Sequence, residues 1–375
     1  MSDLTPDVGS TLALSKPDLQ KLFDSLRKLG YETLGPHIED GAIAYGPIQT
    51  IEDLPRGYTS QQEAGRYQVV YTGHGRDFDI TPGAQSWKQY LFPPRSTLFS
   101  VDKSDGAWHI KEEAQPITSY AFVGVRPCEL AAILIQDRVF LRDEWSDPIY
   151  RARRQSSFIL AVNCLHPCGT CFCASMGTGP KAETGYDLNL TELDDVYLVS
   201  VGSEAGKMVM TGLSVHPASA FLLQTANKGF EDAKKRMART LPNVEEIPDL
   251  LLSNLEHPQW DNVAKRCLSC ANCTQVCPTC FCWEMTDQPS LAGDHSVRAR
   301  TWDSCFNPDY SYIVGGNSRP NTRSRYRQWL THKMASWKHQ FDVLGCVGCG
   351  RCITWCPAGI DLTEEIAAIR KEIAA

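Results

Sequence analysis

Two stretches of this chain repeat the pattern C-x2-C-x2-C-x3-C-P. The first is Cys267, Cys270, Cys273 and Cys277-Pro278; the second is Cys346, Cys349, Cys352 and Cys356-Pro357. Thiolates at this spacing suit iron–sulfur chemistry. A cubane core needs four sulfur donors around a compact cage, and two-residue gaps let one tight loop reach three corners. The fourth cysteine, carried off by the proline turn, ligates the other cluster in two-cluster ferredoxins. The pattern predicts one 4Fe-4S cluster on Cys267, Cys270, Cys273 and Cys356, and a second on Cys346, Cys349, Cys352 and Cys277. Structural zinc is the competing reading, but zinc sites use paired C-x2-C elements rather than three cysteines in one short loop. Gly348 and Gly350 let the second loop approach its neighbours closely. Val347, Ile353 and Trp355 are placed to shield that cluster from water, which tunes its potential.

A further group lies upstream. Cys164, Cys168, Cys171 and Cys173 fall within ten residues, and Cys128 is the only cysteine before them. Residues 119–125 form an apolar run ending at Arg126-Pro127-Cys128, a helical pattern spans 129–140, a second helix fits 147–154, and an apolar run at 158–162 ends at Asn163-Cys164. This reads as a strand–helix–strand unit. With parallel strands, Cys128 and Cys164 both sit at carboxyl ends, the edge where open α/β sheets hold ligands. A third 4Fe-4S cluster follows as an expectation, against a reading of plain buried thiols. Thr170-Cys171-Phe172-Cys173 is echoed by Thr279-Cys280-Phe281-Cys282. Three clusters use twelve of the 16 cysteines, which leaves Cys168, Cys280, Cys282 and Cys305 as supporting or buried thiols. Arg126 and Arg351 stand inside the cysteine motifs as cofactor-binding cations that favour the reduced clusters. His166 is read as a spacer.

The elements around these motifs are partly legible. Residues 15–30 read as a helix, capped by Ser15, opened by Pro17 and closed by Gly30. Turn signals at Gly35-Pro36 and Asp40-Gly41 imply short strands in 31–50, whereas 51–118 give no clear pattern. Strands are expected at 195–201 and 207–213, and a helix at 219–240. Pro242, Pro248 and Pro258 punctuate a connection, after which the chain reads as helices and cysteine loops. The expected class is α+β: an α/β-type domain with a mixed sheet over residues 1–255, then a helical two-cluster ferredoxin-like domain over 256–375.

Composition narrows the function. A net charge of −7 argues against a nucleic-acid binder driven by overall charge. No apolar run reaches membrane-spanning length, and the sequence opens without a secretory signal, so a cytoplasmic protein is expected. Clustered cysteines in such a chain are metal ligands rather than a disulfide framework. No G-x-G-x-x-G opens a helix after a strand, so a Rossmann dinucleotide site is not indicated, and no Walker A sequence occurs. No pair of cysteine couplets near the termini suits a nickel–iron centre, so nickel or sirohaem chemistry is expected of a partner. Residues 296–340 carry eight Lys or Arg against two acids. A solvated, charge-compensating face is the simpler reading; a docking surface for an acidic partner is the sharper one.

Several segments together resemble one family. They are Leu34-Gly35-Pro36 through Asp40-Gly41-Ala42-Ile43, Leu91-Phe92-Pro93-Pro94, Arg126-Pro127-Cys128-Glu129, Cys171-Phe172-Cys173 with Ser175-Met176-Gly177, Cys277-Pro278-Thr279-Cys280, Arg300-Thr301-Trp302-Asp303-Ser304-Cys305, and Cys346 through Pro357. The chain resembles the beta (iron–sulfur) subunit of soluble NAD(P)-linked nickel–iron hydrogenases, the sulfhydrogenases. The same family holds the electron-transfer subunit of anaerobic sulfite reductase. The long span between Cys277 and Cys346 resembles the helical dicluster domain of multisubunit redox enzymes. The resemblance implies third-cluster ligands at Cys128, Cys164, Cys171 and Cys173, with Cys168 spare. The partners it implies are hydrogenase small and large subunits together with a flavin-containing NAD(P)H-oxidoreductase subunit, or else a sulfite reductase catalytic subunit. The expected role is a non-catalytic electron relay. A stand-alone iron–sulfur oxidoreductase using the Cys128 site is the alternative from another class, and an iron–sulfur nucleic-acid protein a further one.

Overall fold

The computed structural model describes residues 6–112 and 117–373. Its largest element is an eight-stranded sheet. Across the sheet run Val215–Pro217, Thr11–Ser15, Val196–Val201, Leu188–Glu192, Phe158–Val162, Tyr120–Val125, Glu32–Glu39 and Ala42–Pro47. Three neighbouring pairs in the middle are parallel, and the outer pairs are antiparallel. The sheet is therefore mixed. Its central strands are buried on both faces, and the two-residue alternation of side chains divides them. Ala121, Val123, Leu160 and Val162 join one core with Leu22, Phe23 and Leu26 of the helix Leu19–Lys28. Phe122, Val125, Ile159 and Ala161 join the other with Leu130 and Ile133 of the helix Pro127–Phe140.

The strand–helix–strand unit holds as expected. Tyr120–Val125 runs parallel to Phe158–Val162, joined through Pro127–Phe140 and Pro148–Gln155. Cys128 in the first turn of the helix and Cys164 just past the second strand thus share one sheet edge.

Other expectations change. Residues 207–213 form no strand; Glu204–Met210 is a helix. Its signal was local: Ser203 accepts a hydrogen bond from Gly206 N at 3.1 Å, and Glu204 stands in the first turn. Ser15 does not cap the first helix through the backbone; its hydroxyl bonds the Asp18 carboxylate at 2.7 Å. The proline-punctuated stretch folds into the helix Ile247–Leu252, whose Ile247 and Leu251 pack with Trp260, Trp329 and Ile366 in a helical core.

The chain after residue 256 is not all helix and loop. Trp283–Pro289 and His295–Trp302 form a hairpin, and the latter pairs with Arg95–Ser104, itself paired with Ala107–Glu112. This four-stranded sheet takes two strands from each half of the chain. A second hairpin, Tyr58–Glu63 with Arg66–Tyr71, reaches the cysteine loops: Gly65 N donates to Ile353 O at 3.1 Å.

Candidate metal centre

The two ferredoxin-type loops converge. Cys267, Cys270, Cys273 and Cys356 line one pocket, together with Cys352 of the second motif and with Tyr326 and Trp329 of the helix Thr322–Thr331. Cys270 is exposed, so this set lies near the surface. Cys346, Cys349 and Cys352 have Cys277 as a common neighbour, and Cys352 also faces Cys273 of the first set. The cysteines of the two motifs thus lie near one another in the folded chain. The tight loops need left-handed backbone at Ala271, Gly348 and Gly350.

The upstream cysteines form a third set. Cys128 and Cys164 are neighbours, and Cys173 faces Cys128, Cys164, Cys168 and Cys171. Cys128 also faces Cys349, which places this set against the second. The contact is intimate. Phe172 N donates to Gly348 O at 2.8 Å, and Thr178 donates to Val347 O at 2.6 Å. The Thr170 and Thr354 hydroxyls share a hydrogen bond at 2.7 Å. Cys168, expected to be spare, sits inside the group rather than apart from it.

Glycine is required where these loops touch. A Cβ on Gly348 would lie 2.7 Å from Phe172 C and Cys173 N, at a φ of +63°. Gly348→Ala is expected to destabilise the holoprotein by about 3 kcal/mol or more, from backbone overlap plus left-handed strain. Gly212→Ala, with a φ of +83° and open space around it, is the control and should cost about 1 kcal/mol. Anaerobic thermal unfolding compares them; equal shifts would contradict the packing argument.

The second hairpin and the helices supply cover. Val347 and Ile353 are buried, and Trp355 stacks on Tyr67 with centroids 5.0 Å apart. Burial pushes the Cys128, Cys273 and Cys352 thiols well above the ordinary range and Cys346 up to about 12. Without iron these groups keep their protons; metal loading must displace them. Among the described residues, no three His, Cys, Asp or Glu groups close on one point as a single ion requires. A cubane spaces its thiolates more widely than a zinc ion does. Among the described residues, the Tyr326 hydroxyl and Trp329 Nε1 are buried donors without a hydrogen-bond partner, and both residues line the first pocket. Unpartnered donors beside clustered thiols fit an anionic sulfide cage.

Residues 266–360 match the family model described as a 4Fe-4S dicluster domain. The chain is also 34% identical over 356 residues to sulfhydrogenase 2 subunit beta of Pyrococcus furiosus, an alignment covering 94% of this chain and 96% of that one. The chain belongs to the sulfhydrogenase beta-subunit family. No solved structure matches it. It is an iron–sulfur electron-transfer protein with two 4Fe-4S clusters in its dicluster domain, and no helix among its described residues is long and apolar enough to cross a membrane.

This sulfhydrogenase-family chain surrounds its cysteines with buried cations, of which sequence reading found two. Arg126 is buried and donates to the carbonyls of Asn163, Phe78 and Ile80, with Cys164 as a charge neighbour. Arg351 faces Cys349 and Cys128, but Glu129 balances its charge at 2.5 Å. Lys333 was missed. It is buried and donates to Cys277 Sγ at 3.2 Å, Thr279 Oγ1 at 3.0 Å and Gly345 O at 2.9 Å. Its signal was only a lysine among apolar helical neighbours, Leu330, Met334 and Ala335, which are buried. Contact with Cys280 and the charge of Lys333 hold Cys277 well below the ordinary thiol range against the opposing push of burial.

A charged hydrogen bond to a ligand sulfur favours the reduced cluster. If Cys277 ligates a cluster, Lys333→Met is expected to lower that cluster's potential by about 60–130 mV, the equivalent of one charge-assisted hydrogen bond. Potentiometric EPR reads the shift; an unchanged midpoint would remove Lys333 from this role. The remaining basic charge of 296–340 is mostly spent on ion pairs: Arg298 with Asp287, Arg300 with Asp147, Arg323 and Arg327 with Glu256, and Lys338 with Glu245. This pairing leaves little unpaired positive charge there for docking an acidic partner.

Proposed function

We propose that this chain relays electrons between a nickel–iron hydrogenase module and a flavin-containing NAD(P)H-oxidoreductase subunit in the cytoplasm. Family membership at 34% identity along nearly the whole chain carries the reading. In it, Cys267, Cys270, Cys273 and Cys356 hold one cluster, Cys346, Cys349, Cys352 and Cys277 a second, and Cys128, Cys164, Cys171 and Cys173 a third. Bound clusters of this kind supply one-electron carriers. The chain's own residues place them. Contiguity of the cysteine sets supports a relay: Cys352 faces Cys273, and Cys128 faces Cys349, so the second set lies between the first and the third. The exposed Cys270 makes the first set the natural point of exchange at the surface. None of the sixteen cysteines is paired in a disulfide, in keeping with a reducing compartment.

Leaving this subunit out of a complex reconstituted from its partners tests the proposal. Hydrogen oxidation with an artificial acceptor should persist while hydrogen-driven NAD(P)+ reduction falls to background. NAD(P)+ reduction at full rate without this chain would overturn it.

A further inference from the structure

Four cysteines recur at identical offsets in two places. Cys164, Cys168, Cys171 and Cys173 are matched by Cys273, Cys277, Cys280 and Cys282, with Thr170 and Thr279 in register. The local contacts match too: Thr170 bonds Cys168 at 3.5 Å, and Thr279 bonds Cys277 at 3.1 Å. In the first copy, Cys171 and Cys173 belong to the third set. Their counterparts Cys280 and Cys282 have no cluster in the reading above.

The fold brings a third thiol to them. Asp303 N donates to Cys282 O at 2.9 Å, which carries Cys305 to the Cys282 thiol, and the Tyr310 hydroxyl reaches Cys282 as well. A cavity of about 220 Å³ opens here, lined by Cys280, Cys282, Cys305, Tyr310, Lys333 and Trp337. We infer that Cys280, Cys282 and Cys305 hold a further iron–sulfur cluster, its fourth side toward Tyr310. The inference rests on assigning Cys277 to the second ferredoxin-type set.

Charge supports it. Lys88 and Lys333 are buried at 4% and 3% exposure, and among the described residues neither pairs with a carboxylate. Lys88 Nζ donates to Cys280 O at 3.2 Å and lies 3.8 Å from the centre of a Trp302 ring. A buried ammonium without an anion is costly. The second ferredoxin-type set supplies negative charge to Lys333 through Cys277, and a thiolate-held cluster on Cys280 supplies it to Lys88. One further donor lacks a partner among the described residues: Trp337 Nε1 is buried, and the residue lines the cavity. A cluster sulfide would accept from it.

The test is iron and acid-labile sulfide content of the anaerobically purified full chain, with Cys305→Ser and Cys171→Ser beside it. Cys305→Ser should lose about four irons, and Cys171→Ser should lose a separate four. Iron lost by Cys171→Ser alone keeps the third cluster and overturns this one. Iron lost by Cys305→Ser alone keeps this one and removes the third. A disulfide between Cys282 and Cys305 in the anaerobic protein also overturns it. Should Cys305→Ser fail to fold, Tyr310→Phe decides: a changed EPR signature of one cluster supports the site, and an unchanged spectrum overturns it.

Discussion

Cys349→Ser removes one cluster, about four irons per chain, and stops electron flow through the complex. Cys349 has Cys277 and Cys346 as neighbours in the second set, and Cys128 of the third set faces it directly. In the proposed relay the second set is thus the crossing point between the other two, and losing it would sever the path. Serine keeps the size of the side chain while giving a poorer iron ligand, so the effect reads ligation rather than packing. Cys168→Ser is the comparison. The relay reading gives Cys168 no iron, so that variant should keep its metal and its throughput. Full iron and unchanged electron transfer in Cys349→Ser would refute the ligand assignment.

The second large effect falls on stability. Glu129→Gln should destabilise the holoprotein by about 3–5 kcal/mol, the usual result of stripping one partner from a buried ion pair. Glu129 and Arg351 have side chains 1% and 2% exposed and meet at 2.5 Å. Tyr45 completes the carboxylate with a hydrogen bond at 2.8 Å, and Arg351 also donates to Gly83 O and Gln85 O at 3.0 Å. Glu129 follows Cys128 and Arg351 precedes Cys352, so this pair fixes the third cysteine set against the second. The double variant Glu129→Leu with Arg351→Met should cost less than the sum of the two single changes, because no charge remains stranded. Anaerobic denaturant unfolding measures both. A loss of less than about 1 kcal/mol in Glu129→Gln would show the pair to be dispensable.

The sequence made the cysteine sets readable because cluster chemistry fixes ligand spacing within a loop, and Cys267 to Cys277 and Cys346 to Cys356 carry that spacing openly. The strand–helix–strand unit was readable from two apolar runs that end on Arg126-Pro127-Cys128 and Asn163-Cys164. What escaped depends on distant pairing. The strand Arg95–Ser104 finds its partner His295–Trp302 far along the chain, and neither carries an alternation strong enough to announce it. The helix Glu204–Met210 was missed because Val209 and Met210 read as an apolar strand run while the cap at Ser203 went unused. The buried lysines Lys88 and Lys333 were invisible for a related reason. Their burial is set by the loops that fold over them, not by their neighbours in sequence.

The most direct measurement is an anaerobic pull-down of the tagged native chain, with metal and cofactor analysis of what comes with it. The account predicts nickel and flavin in the isolated complex beside the iron of this subunit. Sirohaem without nickel, or the chain alone with its iron, would contradict it.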